Sequence, residues 1–245
     1  MATDLSGEVI LTTGASRGLG RALADAFADA GARLVLCARS EEDMAAVAEA
    51  LAGKTEVEWG AVDVTDEGAV AALVARAAER FGPITVLVNN ASVLGPRVPL
   101  RDHPLDAWRS VLEVNLTGTL IPTLAVLPGM RELERGSIIN VSSGVGNLAR
   151  ERWGAYAISK WGVEALSKNL ALEEEGARVR VNIVDPGRLR TEMRREAYPD
   201  EDPRRPAPPE DATPVFLWLA GSESEGVTGQ RFHALDWNGP SGRSA

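Results

Sequence analysis

Thr13-Gly14-Ala15-Ser16-Arg17-Gly18-Leu19-Gly20 joins an apolar run, Glu8–Thr13, to a stretch of helical periodicity, Gly18–Ala30. A strand, a glycine-rich turn and a helix in this order are the context that a dinucleotide-binding motif requires. Glycine lets the backbone turn sharply and approach a pyrophosphate closely, and the helix amino-terminus offers free N–H groups and the positive end of its dipole. The turn residues Gly14, Ser16, Arg17, Gly18, Leu19 and Gly20 are therefore expected to cradle phosphates.

Outward from this turn, short apolar runs alternate with longer amphipathic ones. Strands are expected near Glu8–Thr13, Arg33–Ala38, Glu56–Ala61, Thr85–Asn89, Gly136–Val141, Arg178–Val184 and Gln230–Ala234. Helices are expected near Gly18–Ala30, Glu41–Leu51, Glu67–Phe81, Leu105–Met130, Gly154–Glu174 and Ala212–Ala220. Ser40 followed by Asp43 marks one helix start, and Thr65 or Asp66 caps another. Strands of near-continuous Val, Ile and Leu are buried on both faces. The pattern predicts an α/β, Rossmann-like, doubly wound and mostly parallel seven-stranded sheet with helices on both faces. Residues 1–245 are expected to form one dinucleotide-binding and catalytic domain. Within it, residues 188–211 carry a proline-rich, charged stretch, Tyr198–Asp211, read as a substrate-covering loop.

The formal charge of −9 and the pI near 4.9 have the wrong sign for a nucleic-acid or anionic-membrane binder. Cys37 is the only cysteine and lies in an apolar run, which suits a buried thiol and a reducing cytoplasm. Met1–Gly7 lacks the basic-then-apolar pattern of a signal peptide, and no uninterrupted apolar run reaches 18 residues, so neither export nor a membrane span is expected. His103 and His233 stand apart from metal-ligand spacing, so no metal is expected.

Tyr156 and Lys160 lie at i and i+4, on one face of the expected helix, with Ser143 thirteen residues before the tyrosine and Asn115 earlier still. A carbonyl that gains hydride develops negative charge on oxygen, which a proton donor and a second hydrogen-bond donor must meet. Tyr156 fits the acid and base, and Ser143 fits the second donor, with Ser142 as the alternative. An unperturbed phenol has a pKa of about 10, and a nearby Lys160 cation, together with the positive ring of an oxidised nicotinamide, is expected to bring it towards the working range.

The spacing G-x-x-x-G-x-G, preceded by Thr13, and the order Asn115, Ser143, Tyr156, Lys160 resemble the short-chain dehydrogenases/reductases. The resemblance runs from about Val9 to His233. It implies an oxidoreductase that moves hydride between a nicotinamide and a carbonyl or secondary alcohol carbon. It further implies that Lys160 bonds the nicotinamide ribose and that Asn115 holds a water relaying protons to Lys160. Asp63 and Val64 would hold the adenine, and Asn90 and Ala91 would line a ribose. Pro186, Gly187, Leu189 and Thr191 would hold the carboxamide or pyrophosphate. Ser92 departs from the family's N-N-A-G, and Leu189 from its P-G-x-V-x-T. Relatives pair through the tyrosine helix and the one near Ala212–Ala220, so a homo-oligomer is expected, a dimer or, as in many relatives, a homotetramer.

An NAD-preferring chain usually places an acid after the second strand to bond the ribose 2′-OH. Here the residues are Ala38-Arg39-Ser40, and Arg39 with Arg17 would bracket a 2′-phosphate, so NADP(H) is preferred and NAD(H) remains open. The competing reading has Glu41 or Glu42 reach the ribose. The expected partner is a small carbonyl or alcohol substrate, with alcohol dehydrogenase or carbonyl reductase as the leading activity. A redox sensor without turnover would not need the proton-relay residues. A sugar-nucleotide epimerase or dehydratase of similar fold normally carries an added substrate domain.

Overall fold

The computed structural model describes residues 3–240. Seven parallel strands form one sheet in the order β3-β2-β1-β4-β5-β6-β7. They are β1 Val9–Thr13, β2 Arg33–Ala38, β3 Val57–Ala61, β4 Val86–Asn89, β5 Gly136–Val141, β6 Val179–Asp185 and β7 Arg231–His233. The chain runs outward from β1 to β3, then returns to the other side of β1 to lay down β4, which opens a crevice at the strands' carboxyl ends.

Alternation along each strand divides the core. Ile10, Leu34, Leu36, Val86, Val88, Ile139 and Val184 face one layer, and Val9, Leu11, Val35, Leu87, Ile138 and Val181 face the other. The first layer is covered by α1 Gly18–Asp29, α2 Glu41–Leu51 and, after the later helices, the helix Thr213–Ala220. The second is covered by α3 Glu67–Phe81 and by helices at Gly118–Glu132 (α5) and Gly154–Glu173 (α6), while the helix Leu105–Leu112 (α4) packs on α6 in a separate cluster with Val111. A short helix, α7 Glu192–Ala197, precedes the Thr213–Ala220 helix, α8. Cys37 is buried, and burial pushes its thiol up to about 12, so it is an inert packing group.

The helix starts are set by the expected side chains. Ser40 accepts from the Asp43 N–H at 3.2 Å, and Asp66, rather than Thr65, caps α3 by accepting from the Ala69 N–H at 2.9 Å. One expected helix is broken in character: Leu105–Met130 is α4, a π turn at Glu113–Thr117, and α5. The whole stretch Leu105–Glu132 is long and apolar enough to cross a membrane by length and composition, although no uninterrupted apolar run marks it. Much of that apolarity is spent against β4, β5 and α3, through Ile121, Val126, Leu127 and Met130. The expected loop also differs. Glu192–Ala197 is helical, capped by Thr191, and Leu189 bridges to Ala207, so the prolines follow a helix instead of replacing one.

Candidate active site

The crevice at the carboxyl ends of the strands is a cleft of about 1180 Å³. Of the residues expected from the sequence, Gly14, Ser16, Arg17, Gly18, Leu19, Arg39, Asp63, Val64, Asn90, Ala91, Ser143, Tyr156, Lys160, Pro186, Gly187, Leu189 and Thr191 line it. Gly20 and Asn115 do not line it, and each supports it from behind.

The turn is packed so tightly that side chains are excluded. Gly14 has φ +66°, and a Cβ there would come within 2.9 Å of the Ala91 Cα. A Cβ on Gly20 would sit 2.2 Å from the Gly14 carbonyl oxygen and 2.6 Å from Asn90 Nδ2. Asn90 locks the turn from across the sheet by donating to the carbonyls of Thr13 and Gly14 at 2.8 and 3.1 Å. Thr13 Oγ1 in turn accepts from the Asn90 and Ala91 N–H groups, each at 3.0 Å. Unlike α2 and α3, α1 begins with no side-chain cap and no acid in its first turn. Its first N–H groups and its dipole end are thus left for an anion, and the residues present fit a dinucleotide pyrophosphate.

Arg39 lines the far end of the cleft, is exposed, and among the described residues makes no ion pair. Arg17 instead pairs with Glu192 at the start of α7. Glu41 and Glu42, the competing ribose ligands, do not line the cleft, whereas Asp43 does. Asp63 also differs from its expected use in part, since its Oδ1 accepts from the Thr65 N–H and hydroxyl at 3.0 and 2.8 Å.

At the other end, α6 carries Tyr156 and Lys160 into the cleft floor, both less than a tenth exposed. Lys160 Nζ donates to the Val141 carbonyl at 2.9 Å and lies 5.7 Å from the centre of the Tyr156 ring. Burial lowers the Lys160 pKa to about 8. Burial also pushes the Tyr156 phenol up to about 12, opposed by hydrogen bonding to the Ser143 hydroxyl, reinforced by the charge of Asp185, and opposed again by the Ser92 hydroxyl. The expected draw of Lys160 on the phenol is therefore not met by the protein alone. The ammonium is turned to a backbone carbonyl, and desolvation of the phenolate dominates.

Ser142 is buried and donates to Glu164 Oε1 at 2.7 Å, which leaves Ser143 as the hydroxyl facing the phenol. Arg231 on β7 fixes this segment from behind. It donates to the Ser143 carbonyl at 3.1 Å and pairs with Glu164 at 2.9 Å and Asp185 at 3.1 Å. No sequence signal marked that network, because its members lie on three separate elements.

Asn115 occupies the π turn and is fully buried. Its Oδ1 accepts from the Val93 N–H at 2.8 Å, and its two amide hydrogens go to the Val93 carbonyl at 2.9 Å and Ser159 Oγ at 3.0 Å. The extra residue of a π turn re-aims one side chain without ending the helix. Here it ties the loop after β4 to α6, beside the catalytic candidates.

The segments after β4, β5 and β6, residues 92–98, 144–153 and 188–209, are the ones that can wall a substrate at the strands' carboxyl ends. Ser92, Val93 and Leu94 line the cleft, as do Trp153 and residues 189–197, but neither 144–152 nor 198–209 does. Residues 198–209 are held aside, with Arg190 N–H bonded to the Ala207 carbonyl at 2.7 Å and Ala207 N–H to the Arg188 carbonyl at 3.0 Å. Trp153 packs on Tyr156 with ring centres 5.6 Å apart, whereas Trp161 is half exposed on the outer face of α6.

Comparison with known proteins agrees with this geometry. The family model described as short chain dehydrogenase matches residues 8–202. An uncharacterised oxidoreductase of Escherichia coli, YciK, is 37% identical over 235 residues, covering 94% of this chain and 92% of its own. A short chain dehydrogenase of Shigella flexneri, solved in complex with NADP, superimposes with a TM-score of 0.91 at 35% identity, over 96% of this chain and 99% of its own. Another from Escherichia coli, solved with NADPH, gives 0.87 at 34% identity, over 96% and 99% of the two chains. The glycine turn, the seven-stranded sheet and these matches together place the chain in the short-chain dehydrogenase family, oxidoreductases that act on CH–OH or C=O groups with NAD(P).

Proposed function

We propose that the chain, as a single cytoplasmic domain over residues 1–245, is an NADP(H)-dependent carbonyl reductase or alcohol dehydrogenase with Tyr156 as general acid and base. The observation that carries this reading is the convergence of a phenol, a hydroxyl and an amine, Tyr156, Ser143 and Lys160, on the floor of a cleft whose opposite end is the glycine turn and Arg39. Relatives of similar fold solved with NADP and NADPH support the choice of cofactor, with NAD(H) as the second candidate.

When bound, the nicotinamide supplies or accepts the hydride. Gly14, Ser16, Gly18 and Leu19 would hold the pyrophosphate, with Gly20 leaving room behind the turn, Arg39 and Arg17 at the 2′-phosphate and Asp63 and Val64 at the adenine. Asn90, Ala91 and Lys160 would hold the riboses, and Pro186, Gly187, Leu189 and Thr191 the carboxamide end. Because burial holds the Tyr156 phenol at about 12, it carries its proton at neutral pH, the state an acid needs to protonate a developing alkoxide. Ser143 donates to the same oxygen and fixes it against the phenol. With Lys160 near 8, its ammonium can exchange a proton close to neutrality and reprotonate the tyrosine side. Asn115 would hold the water between Lys160 and solvent through the one Oδ1 lone pair that the Val93 N–H leaves free, its amide hydrogens being spent. Of residues 188–211, the cleft-lining part 189–197 with α7 would cover the substrate, while 198–209 stay aside. Leu124, Ile158, Trp161 and Leu172, apolar and exposed on α5 and α6, support pairing of this chain with copies of itself.

Tyr156→Phe tests the assignment. NADPH binding by fluorescence titration should stay within about twofold, while kcat falls by roughly 10³-fold, within the range for loss of a general acid. Turnover close to wild type would remove Tyr156 from the mechanism.

A further inference from the structure

Two buried hydrogen-bond donors near Tyr156 lack acceptors: Trp153 Nε1, on a ring that lines the cleft, and Arg97 Nε, on a guanidinium stacked over that ring. Ser92 sits against the phenol, Trp153 stacks on its ring, and the Arg97 guanidinium lies 4.6 Å over the Trp153 ring and 4.6 Å over that of Tyr198. A buried donor left unmet costs free energy, so two of them in one place point to an acceptor that arrives from outside. The charge around them has the same sense. One Arg97 N–H goes to the Ala197 carbonyl, and among the described residues Arg97 has no carboxylate partner. Arg150 donates to the Tyr198 hydroxyl, and Arg194 lies 3.8 Å over the Tyr198 ring, with Glu201 the one acid paired in this cluster. In a chain of formal charge −9, this corner is positive. Stacking between rings holds the guanidinium flat and partly desolvated, which strengthens its bond to an anion.

We propose that Arg97 and Trp153 Nε1 form a carboxylate subsite, so that the substrate is a small oxo or hydroxy acid whose carboxylate lies a few bonds from the reacting carbon. The inference rests on the reading above for where that carbon sits, and its own support is the unmet donors. The size follows from the spacing: the Trp153 and Tyr156 ring centres are 5.6 Å apart, and Arg97 lies one ring beyond.

The test compares 4-oxopentanoate and 3-oxocyclohexanecarboxylate with their methyl esters. Calorimetric binding to the NADP⁺-saturated enzyme and KM for NADPH oxidation are measured on wild type, Arg97→Gln, Trp153→Phe and, as a control outside the cleft, Arg152→Gln. Wild type should favour at least one acid over its ester by about 10- to 100-fold, the worth of a charge-assisted bond. Arg97→Gln should erase that preference with ester and cofactor binding unchanged. Trp153→Phe should reduce it, and Arg152→Gln should leave it intact. Equal or absent binding of acid and ester by wild type overturns the subsite, as does an equal loss for both ligands in Arg97→Gln. A preference in binding without any turnover would support the subsite and count against the catalytic reading instead.

Discussion

At the glycine-turn end of the cleft the walls are mostly backbone, whereas around Tyr156 they are side chains drawn from four segments. Gly14, Gly18 and the uncapped start of α1 shape the first end, and Asn90 braces it through main-chain carbonyls. The second end is assembled from Ser92 after β4, Ser143 after β5, Trp153 and Tyr156 at the start of α6, and Ala197 at the end of α7, with Arg97 and Tyr198 packed on Trp153 outside the lining. A backbone cradle suits a ligand whose phosphates never change. A side-chain wall can be altered one residue at a time without disturbing the sheet, which is where a family diversifies its substrates.

The sharpest way to break this division is at Asn115, which ties the loop after β4 to α6 and so holds the substrate end together. Asn115→Ala would strand the Val93 N–H and carbonyl and remove the donor to Ser159 Oγ, which keeps its own bond to the Tyr156 carbonyl. A loss of about 3 kcal/mol in unfolding free energy is expected from several unmet buried groups. Urea denaturation should read it as a lower midpoint at unchanged slope. Loss of activity without any loss of stability would show that the amide serves the chemistry and not the tie.

Arg39→Asp isolates the other end. Removing the cation and adding a like charge beside a 2′-phosphate should weaken NADPH binding by about 100-fold, near 2.7 kcal/mol, while NADH binding changes by no more than a few-fold. Parallel titrations with the two cofactors check it. Equal loss for both would mean that Asp43, which also lines the cleft, governs the adenosine end by another route.

The difference between the ends also explains what could be read from residues alone. Glycines at fixed intervals, a strand before them and a helix after them are local, so Gly14, Gly18 and Gly20 declared their role directly. The strand and helix positions followed from periodicity, because apolar side chains at spacing 2 or 3.6 have few other uses in a chain that buries its sheet on both faces. The π turn at Glu113–Thr117 was hidden because an extra residue per turn leaves the composition unchanged. Helix α7 was masked by the prolines that follow it, although Thr191, which caps it, stands at its start. The Glu164–Arg231–Asp185 network and the stacking of Arg97 join residues from 46 to 101 positions apart, and nothing in their local sequence foretold it.

A further contrast is ionic. Lys160 is the buried cation of the substrate end, and its pKa near 8 in the folded chain lies below the ordinary 10.5. Below pH 8 both folded and unfolded chains hold that proton, and the fold bears the full penalty of burying the charge. Between pH 8 and 10.5 the unfolded chain binds more protons at this site than the folded one, so the contribution of Lys160 to stability rises with pH across that window. Lys160→Met removes this dependence. The stability of wild type relative to Lys160→Met should therefore improve by an amount on the order of 1 kcal/mol from pH 8 to pH 10, read from melting curves of both proteins without cofactor. A constant difference would mean that Lys160 is better hydrated than its burial implies.

The smallest effect is expected where the two ends touch across the mouth of the cleft. Arg17 and Glu192 pair there with side chains 72% and 50% exposed, a setting in which ion pairs contribute little to stability. Glu192→Gln should shift the melting temperature by less than about one degree. Its consequence for the ligand is different in kind. Glu192 and a 2′-phosphate compete for the same guanidinium, so releasing Arg17 should tighten NADPH binding by about twofold and leave NADH binding unchanged. Salt should erase the gain, since the contact is exposed and screened beyond roughly 10 Å at 0.1 M ionic strength. A matching gain for NADH would show that α7 had merely loosened, and that the carboxylate at its start was not holding Arg17 back from the cofactor end.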